Sequence, residues 1–178
     1  MTTNKTSTKN TKPKRKNTSN KIGKRFEDRI QIKLDKYKEQ GLACMSKVPT
    51  EFRIHRGAGG RVVNAFPVAQ SRFCDFTGVV KDVGHCDIEA KTTSNKTSFP
   101  LSNILDSEFK YMSYMYHKMN QRHLYYLIEF RELKEVYLVK AIDVETFKNE
   151  NTRKSIPYKW FKENAILLKN LNFIDYIK

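Results

Sequence analysis

The first long run of apolar positions is helical. Ile22, Phe26, Ile30, Leu34 and Tyr37 recur at three- and four-residue steps, Ser19 or Asn20 can cap the start, and Gly41 ends the pattern. This predicts a helix over residues 21–40. Shorter β-like runs follow at 42–48, 62–67, 73–80 and 85–92. A second helix is expected over 102–119, with Leu105, Phe109, Met112, Tyr116 and Met119 as its apolar stripe. Two strands, 123–130 and 136–140, then meet across a polar turn, and short helical pieces follow from Asp143, one of them at 158–164. A last apolar run occupies 171–177. The order α, several β, α, ββ, α describes one α/β domain over residues 21–178. No internal repeat interrupts it.

Residues 1–20, MTTNKTSTKNTKPKRKNTSN, share none of this patterning and are read as a disordered basic arm. Charge sharpens that division. The chain of 178 residues has a net charge of +15, and residues 1–25 hold nine Lys or Arg, including Lys14, Arg15 and Lys16, with no acid. The remainder has 25 basic and 19 acidic residues, a balance of +6. Such an asymmetry points to a polyanionic partner, nucleic acid ahead of an anionic membrane. A hydrophobic content of 39% is enough for a core, yet no apolar run has the length of a membrane span or a secretory signal. Three cysteines without framework spacing fit reduced thiols in the cytoplasm, and Cys74, His85 and Cys86 lack the spacing of a zinc site.

Between the first two β-like runs lies PTEFRIHRGAGGRVV, which places Arg53, His55, Arg56 and Arg61 around a glycine turn. GAGG is not a dinucleotide fingerprint, because no helix pattern follows it. The segment reads as a short basic hairpin or loop over about 50–66. Its arginines, with Arg72 beyond it, are candidates for phosphate contact.

The segment HCDIEAKTT at 85–93 alternates Asp87, Glu89 and Lys91 with Ile88 and Ala90. In a strand, two carboxylates and an ammonium share one face while Ile and Ala take the other. Asp75 lies upstream across a turn near 82–84, and an antiparallel hairpin would bring it beside Glu89. Hard carboxylate oxygens suit Mg²⁺, and an adjacent lysine suits stabilisation of an anionic phosphoryl transition state. On spacing alone, a metal-dependent nuclease centre and a surface ion-pair stripe both remain open.

A longer stretch goes further. EAKTTSNKTSFPLSN at 89–103 closely resembles the signature of the RecU family of Holliday junction resolvases. KVPT at 47–50, CDFTGV at 74–79, KSI at 154–156 and IDYI at 174–177 resemble further family segments in the same order, and GKRFEDRI at 23–30 looks like a divergent first helix. The resemblance implies a restriction-endonuclease-like PD-(D/E)xK core, with a central mixed β-sheet flanked by helices, and a homodimer that makes paired nicks in four-way junctions with Mg²⁺ or Mn²⁺. A strand-exchange recombinase or branch-migration machinery is a further partner of that kind.

The resemblance places metal ligands at Asp75 and Glu89 and the catalytic lysine at Lys91. Asp87 either positions water or pairs with Lys91. Three departures stand out. Phe73 replaces a family metal-site Thr, Glu108 replaces a family Gln and is a candidate ligand, and the segment 50–72 is shorter than the family stalk. The short stalk keeps a less selective nuclease of restriction or phage type as an alternative. A non-catalytic basic nucleic-acid-binding protein is the alternative outside enzymology.

Overall fold

The computed structural model describes residues 18–49, 52–67 and 74–178. Helix α1 (Thr18–Glu39) begins inside the stretch assigned to the basic arm, and Lys14, Arg15 and Lys16 lie outside the described residues. Phe26, Ile30, Leu34 and Tyr37 form its buried stripe. The helix ends as the sequence predicts: Gly41 turns at φ +67, its N–H reaches Lys38 O, and Leu42 N–H reaches Tyr37 O. This is the paired hydrogen-bond pattern of a glycine-terminated helix.

Six strands make the main sheet: β1 (Ala43–Lys47), β4 (Phe76–Val80), β5 (Gly84–Thr93), β7 (Leu124–Phe130), β8 (Glu135–Lys140) and β10 (Ile166–Leu167). They lie in the order β1-β4-β5-β7-β8-β10. All neighbours are antiparallel except β5 and β7, which run parallel. A parallel pair needs a crossover, and helix α2 (Asp106–His117) supplies it.

The sheet separates two cores. On one face Cys86 and Ile88 of β5 and Tyr125 and Leu127 of β7 meet α1 and the C-terminal residues Phe173, Ile174 and Ile177. On the other, Tyr126, Ile128 and Phe130 of β7 meet Met112 of α2, Val144 and Phe147 of α3 (Ala141–Glu150) and Phe161 of α4 (Tyr158–Asn164). Both faces of β7 are therefore buried, as its nearly unbroken apolar run LYYLIEF requires.

Two further pairs stand apart from this sheet. Strands β2 (Phe52–Arg56) and β3 (Val62–Pro67) form the basic hairpin expected over 50–66, with a register shift between His55 and Arg56. Strands β6 (Ser98–Pro100) and β9 (Ser155–Pro157) pair Phe99 with Ile156. Two of the sequence segments that carry the family resemblance, TSFPL and KSI, are thus bonded to each other.

Helix α2 is shorter than the expected 102–119. A single 3₁₀ turn occupies Leu101–Asn103, and the helix starts at Asp106. It stops at His117 because Asn120 turns to φ 56. The outer members of the predicted stripe, Leu105 and Met119, are consequently 56% and 58% exposed, while Met112 alone of the five is fully buried.

Candidate active site

The β4–β5 hairpin sets the register of the site. Phe76 opposes Ile88, so Asp75, just before β4, opposes Glu89. Val48 N–H after β1 holds the Asp75 carbonyl at 2.8 Å, which anchors this irregular residue to the KVPT segment. Two reciprocal bonds then lock the acids together: Asp75 N–H donates to Glu89 Oε2 at 3.1 Å, and Ala90 N–H donates to Asp75 Oδ2 at 2.9 Å. Gly78, the β4 residue opposite Met45, lets β4 lie close against β1. A Cβ there would meet the Cys44 carbonyl oxygen at 2.2 Å.

Alternation along β5 behaves as the sequence predicts, with one difference. Ile88 faces the α1-side core while Glu89 and Lys91 face α2, but the acid face is not a solvated stripe. Asp87 is 0% and Glu89 3% exposed, because α2 lies over that face. Lys91 Nζ sits between Glu89 Oε1 at 2.6 Å and Glu108 Oε1 at 2.8 Å. Glu108 in turn holds Leu105 N–H with Oε2 at 2.8 Å, tying it to the start of its own helix. Glu108, identified from sequence as a departure, thus lies at the centre of the cluster.

The electrostatics describe a cluster short of positive charge. Burial chiefly pushes Asp75 up to about 6, opposed by the Ala90 N–H and Lys91 and reinforced by Glu27 and Glu108. Burial, then the charge of Asp75, raises Glu89 well above the ordinary carboxylate range. For Lys91 burial works downward, but Glu89 and Glu108 outweigh it, and the ammonium is held in its charged form. Glu27, on α1, is bonded to Lys47 of β1 and adds to the field on Asp75.

Does this donor set suit a divalent cation? Among the described residues, no three His, Cys, Asp or Glu groups already converge as a ready cage. The chemistry nevertheless fits: Asp75, Glu89 and Glu108 are hard oxygen donors, and the one ammonium, Lys91, pairs with the two glutamates and reaches Asp75 through its charge alone. A second observation agrees. Tyr126, the β7 partner of Glu89, buries a hydroxyl with no hydrogen-bond partner among the described residues, within the field of Glu89 and Glu108.

Asp87 belongs to a different group. Thr77 Oγ1 donates to its Oδ1 at 2.6 Å, Tyr111 OH donates to its Oδ2 at 2.9 Å, and His85 Nε2 lies 3.0 Å from Oδ1. The pairing with Lys91 considered from sequence is not made. Thr77 and Tyr111 were not identified from sequence, although Tyr111 lies one helical turn after Glu108. In the hairpin, Arg56 bonds to the Gly60 carbonyl at 2.9 Å and Arg61 is exposed, and both stand on a module separate from the main sheet. Arg53 lies on β2, and Arg72 and Phe73 fall outside the described residues.

Sequence comparison bears on the same residues. The family described as Recombination protein U matches residues 21–178. A protein of Lactococcus lactis subsp. cremoris named Holliday junction resolvase RecU is 35% identical over 153 residues, covering 82% of this chain and 69% of that protein. Proteins of the same name from Streptococcus thermophilus (33% identical, 80% of this chain, 73% of that protein) and Oceanobacillus iheyensis (31%, 82% and 76%) are similar over the same extent. With the match running from α1 to the last residue and spanning every element of the acid–lysine cluster, the chain belongs to the RecU family.

Proposed function

We propose that this protein is a metal-dependent endonuclease that resolves four-way DNA junctions by hydrolysing two phosphodiesters, one in each of two strands. The observation that carries the reading is the joining of Asp75, Glu89, Lys91 and Glu108 by direct hydrogen bonds and ion pairs on a buried sheet face. The names of the similar proteins, Holliday junction resolvase, support the substrate.

Asp75, Glu89 and Glu108 would hold Mg²⁺, with Mn²⁺ as a substitute. When bound, the ion would supply Lewis-acid charge to the scissile phosphate and its attacking water. Lys91, kept protonated by its two glutamates, is a donor and not a base in this arrangement. Its role is to meet the phosphate oxygen on which negative charge grows as the water oxygen joins phosphorus and the ester oxygen leaves. Reciprocal backbone bonds hold Asp75 and Glu89 in place before substrate arrives, which limits reorganisation during the reaction.

A four-way junction is nearly two-fold symmetric, so a homodimer would present one such centre to each of two strands. The hairpin cations Arg53, Arg56 and Arg61, with Arg72 and the arm residues Lys14, Arg15 and Lys16, would read branch shape through phosphates. The setting is cytoplasmic DNA recombination and repair, alongside a strand-exchange recombinase or branch-migration machinery. Among the described residues no helix is long and apolar enough to cross a membrane.

The test is cleavage of a synthetic four-way junction against linear duplex in Mg²⁺. Junction cleavage at least about tenfold faster is expected, a difference of about 1.4 kcal/mol in the barrier. The Glu89→Ala protein is expected to bind the junction without cutting it. Equal rates on both substrates would reduce the assignment to an unselective nuclease, and a wild-type protein that binds but never cuts would make it a binding module.

A further inference from the structure

Asp87 is the most deeply enclosed acid among the described residues, and the half-exposed His85 is the one basic side chain among them within ion-pair distance of it. A buried carboxylate is tolerated only when its oxygens are satisfied, and here hydroxyls from two different elements do so. Thr77 reaches it from β4 and Tyr111 from α2. With both oxygens engaged in this way, Asp87 joins α2 to the β4–β5 hairpin.

That joint matters because of what else α2 carries. Glu108 lies one turn before Tyr111 and meets Lys91 at 2.8 Å. Its other oxygen is bonded to Leu105 N–H, so the side chain has little freedom apart from the helix that bears it. Apolar packing through Met112 pulls α2 onto the sheet but is non-directional, and it does not set how far the helix slides along β5. A hydrogen bond to a buried carboxylate or ammonium is directional and does. Two such ties, Tyr111 to Asp87 and Glu108 to Lys91, fix the register of α2 on β5.

We propose that Tyr111 is a positioning residue for the reaction: its hydroxyl, docked on Asp87, sets the place of α2 and thereby the place of Glu108 against Lys91 and the divalent cation. This deepens the nuclease reading and rests on it. Asp87 on this view takes no part in the chemistry itself. It is the fixed point to which the helix is tied, and Thr77 keeps that point from moving.

The test removes one oxygen atom. Tyr111→Phe keeps the ring and its packing but cannot donate. Junction-cleavage kcat is expected to fall by about tenfold or more, the scale set by sub-ångström misplacement of a catalytic group, with the KM for junction unchanged. Calorimetric titration of the DNA-free protein with Mn²⁺ is expected to show affinity weakened several-fold. In a Glu108→Gln background Tyr111→Phe should add less than about twofold, because the two residues act through one position.

Asp87→Asn still accepts from one hydroxyl and donates to the other, so it should keep most of the rate that Asp87→Ala loses. Wild-type kcat and Mn²⁺ affinity in Tyr111→Phe would overturn the proposal, as would effects that multiply with Glu108→Gln. An Asp87→Asn protein as inactive as Asp87→Ala would overturn it too, by giving the Asp87 charge a direct role. Failure of the underlying reading looks different: there the wild-type protein itself does not cut.

Discussion

Replacing Asp75 by asparagine is expected to abolish cleavage and, in the metal-free protein, to raise stability at pH 8. Burial chiefly lifts the folded-state value of this carboxyl from 3.8 to about 6. The folded state therefore holds the proton more tightly than the unfolded chain. That advantage is complete below pH 3.8 and is lost as the pH rises through about 6. A gap of about two pH units corresponds to roughly 3 kcal/mol at 1.36 kcal/mol per unit. Water at the partly exposed side chain offsets some of it, leaving about 1–2 kcal/mol to recover. Asparagine resembles the protonated acid and can still accept the Ala90 N–H. For a chain of this size, 1–2 kcal/mol raises the melting temperature by roughly 2–8 °C.

Thermal melts at pH 8 and pH 4 test this, each with and without Mg²⁺. At pH 4 the two proteins are expected to melt within about 2 °C of each other, since both then present a largely neutral group. At pH 8 a tenfold excess of Mg²⁺ over its Kd should add about 1.4 kcal/mol to the wild type alone. If Asp75→Asn melts at or below the wild type at pH 8, or its lead persists at pH 4, the acids are not held against their own charge, and the case for a cation-demanding site collapses.

Two other outcomes test the frame around the site. Gly78→Ala drives a methyl group into the Cys44 carbonyl oxygen, and backbone cannot yield as a side-chain tip would, so a loss of about 1–3 kcal/mol in chemical denaturation is expected. An unchanged midpoint would mean that β1 and β4 do not lie so close. Replacing Arg56 and Arg61 together by alanine should weaken junction binding and lower the slope of log affinity against log salt by about 0.9 for each phosphate no longer neutralised. Titrations at several salt concentrations read this directly, and an unaltered slope would mean that other cations hold the phosphates.

How much of this was legible beforehand depends on how local each signal is. The α1 stripe and the Gly41 stop are written within a few turns of chain, and the helix forms as they indicate. The alternation of β5 also reads correctly, because side-chain period follows from strand geometry alone. Strands β6 and β9 were not legible. Each has three residues including a proline, and what makes them strands is the partner, Phe99 for Ile156, far away in sequence. Tyr111 was hidden for a similar reason. In sequence it is one aromatic among several on α2, and its hydroxyl acquires meaning only once the helix lies over Asp87. Glu108 was noticed only because it broke a family pattern, and its bond to Lys91 came from docking.

The aromatic contact between Tyr37 of α1 and Phe173, 5.4 Å between ring centres, has a consequence for how the molecule is made. The first helix closes its core on residues far along the chain, while β6 waits for β9 on the opposite face. A nascent chain still short of residue 155 can complete neither layer, because both depend on loops that close late and at high entropic cost. Cutting power therefore arrives only once residues 155–177 have been made, and a chain terminated before them is more apt to be an unfolded target for proteolysis than an unregulated nuclease.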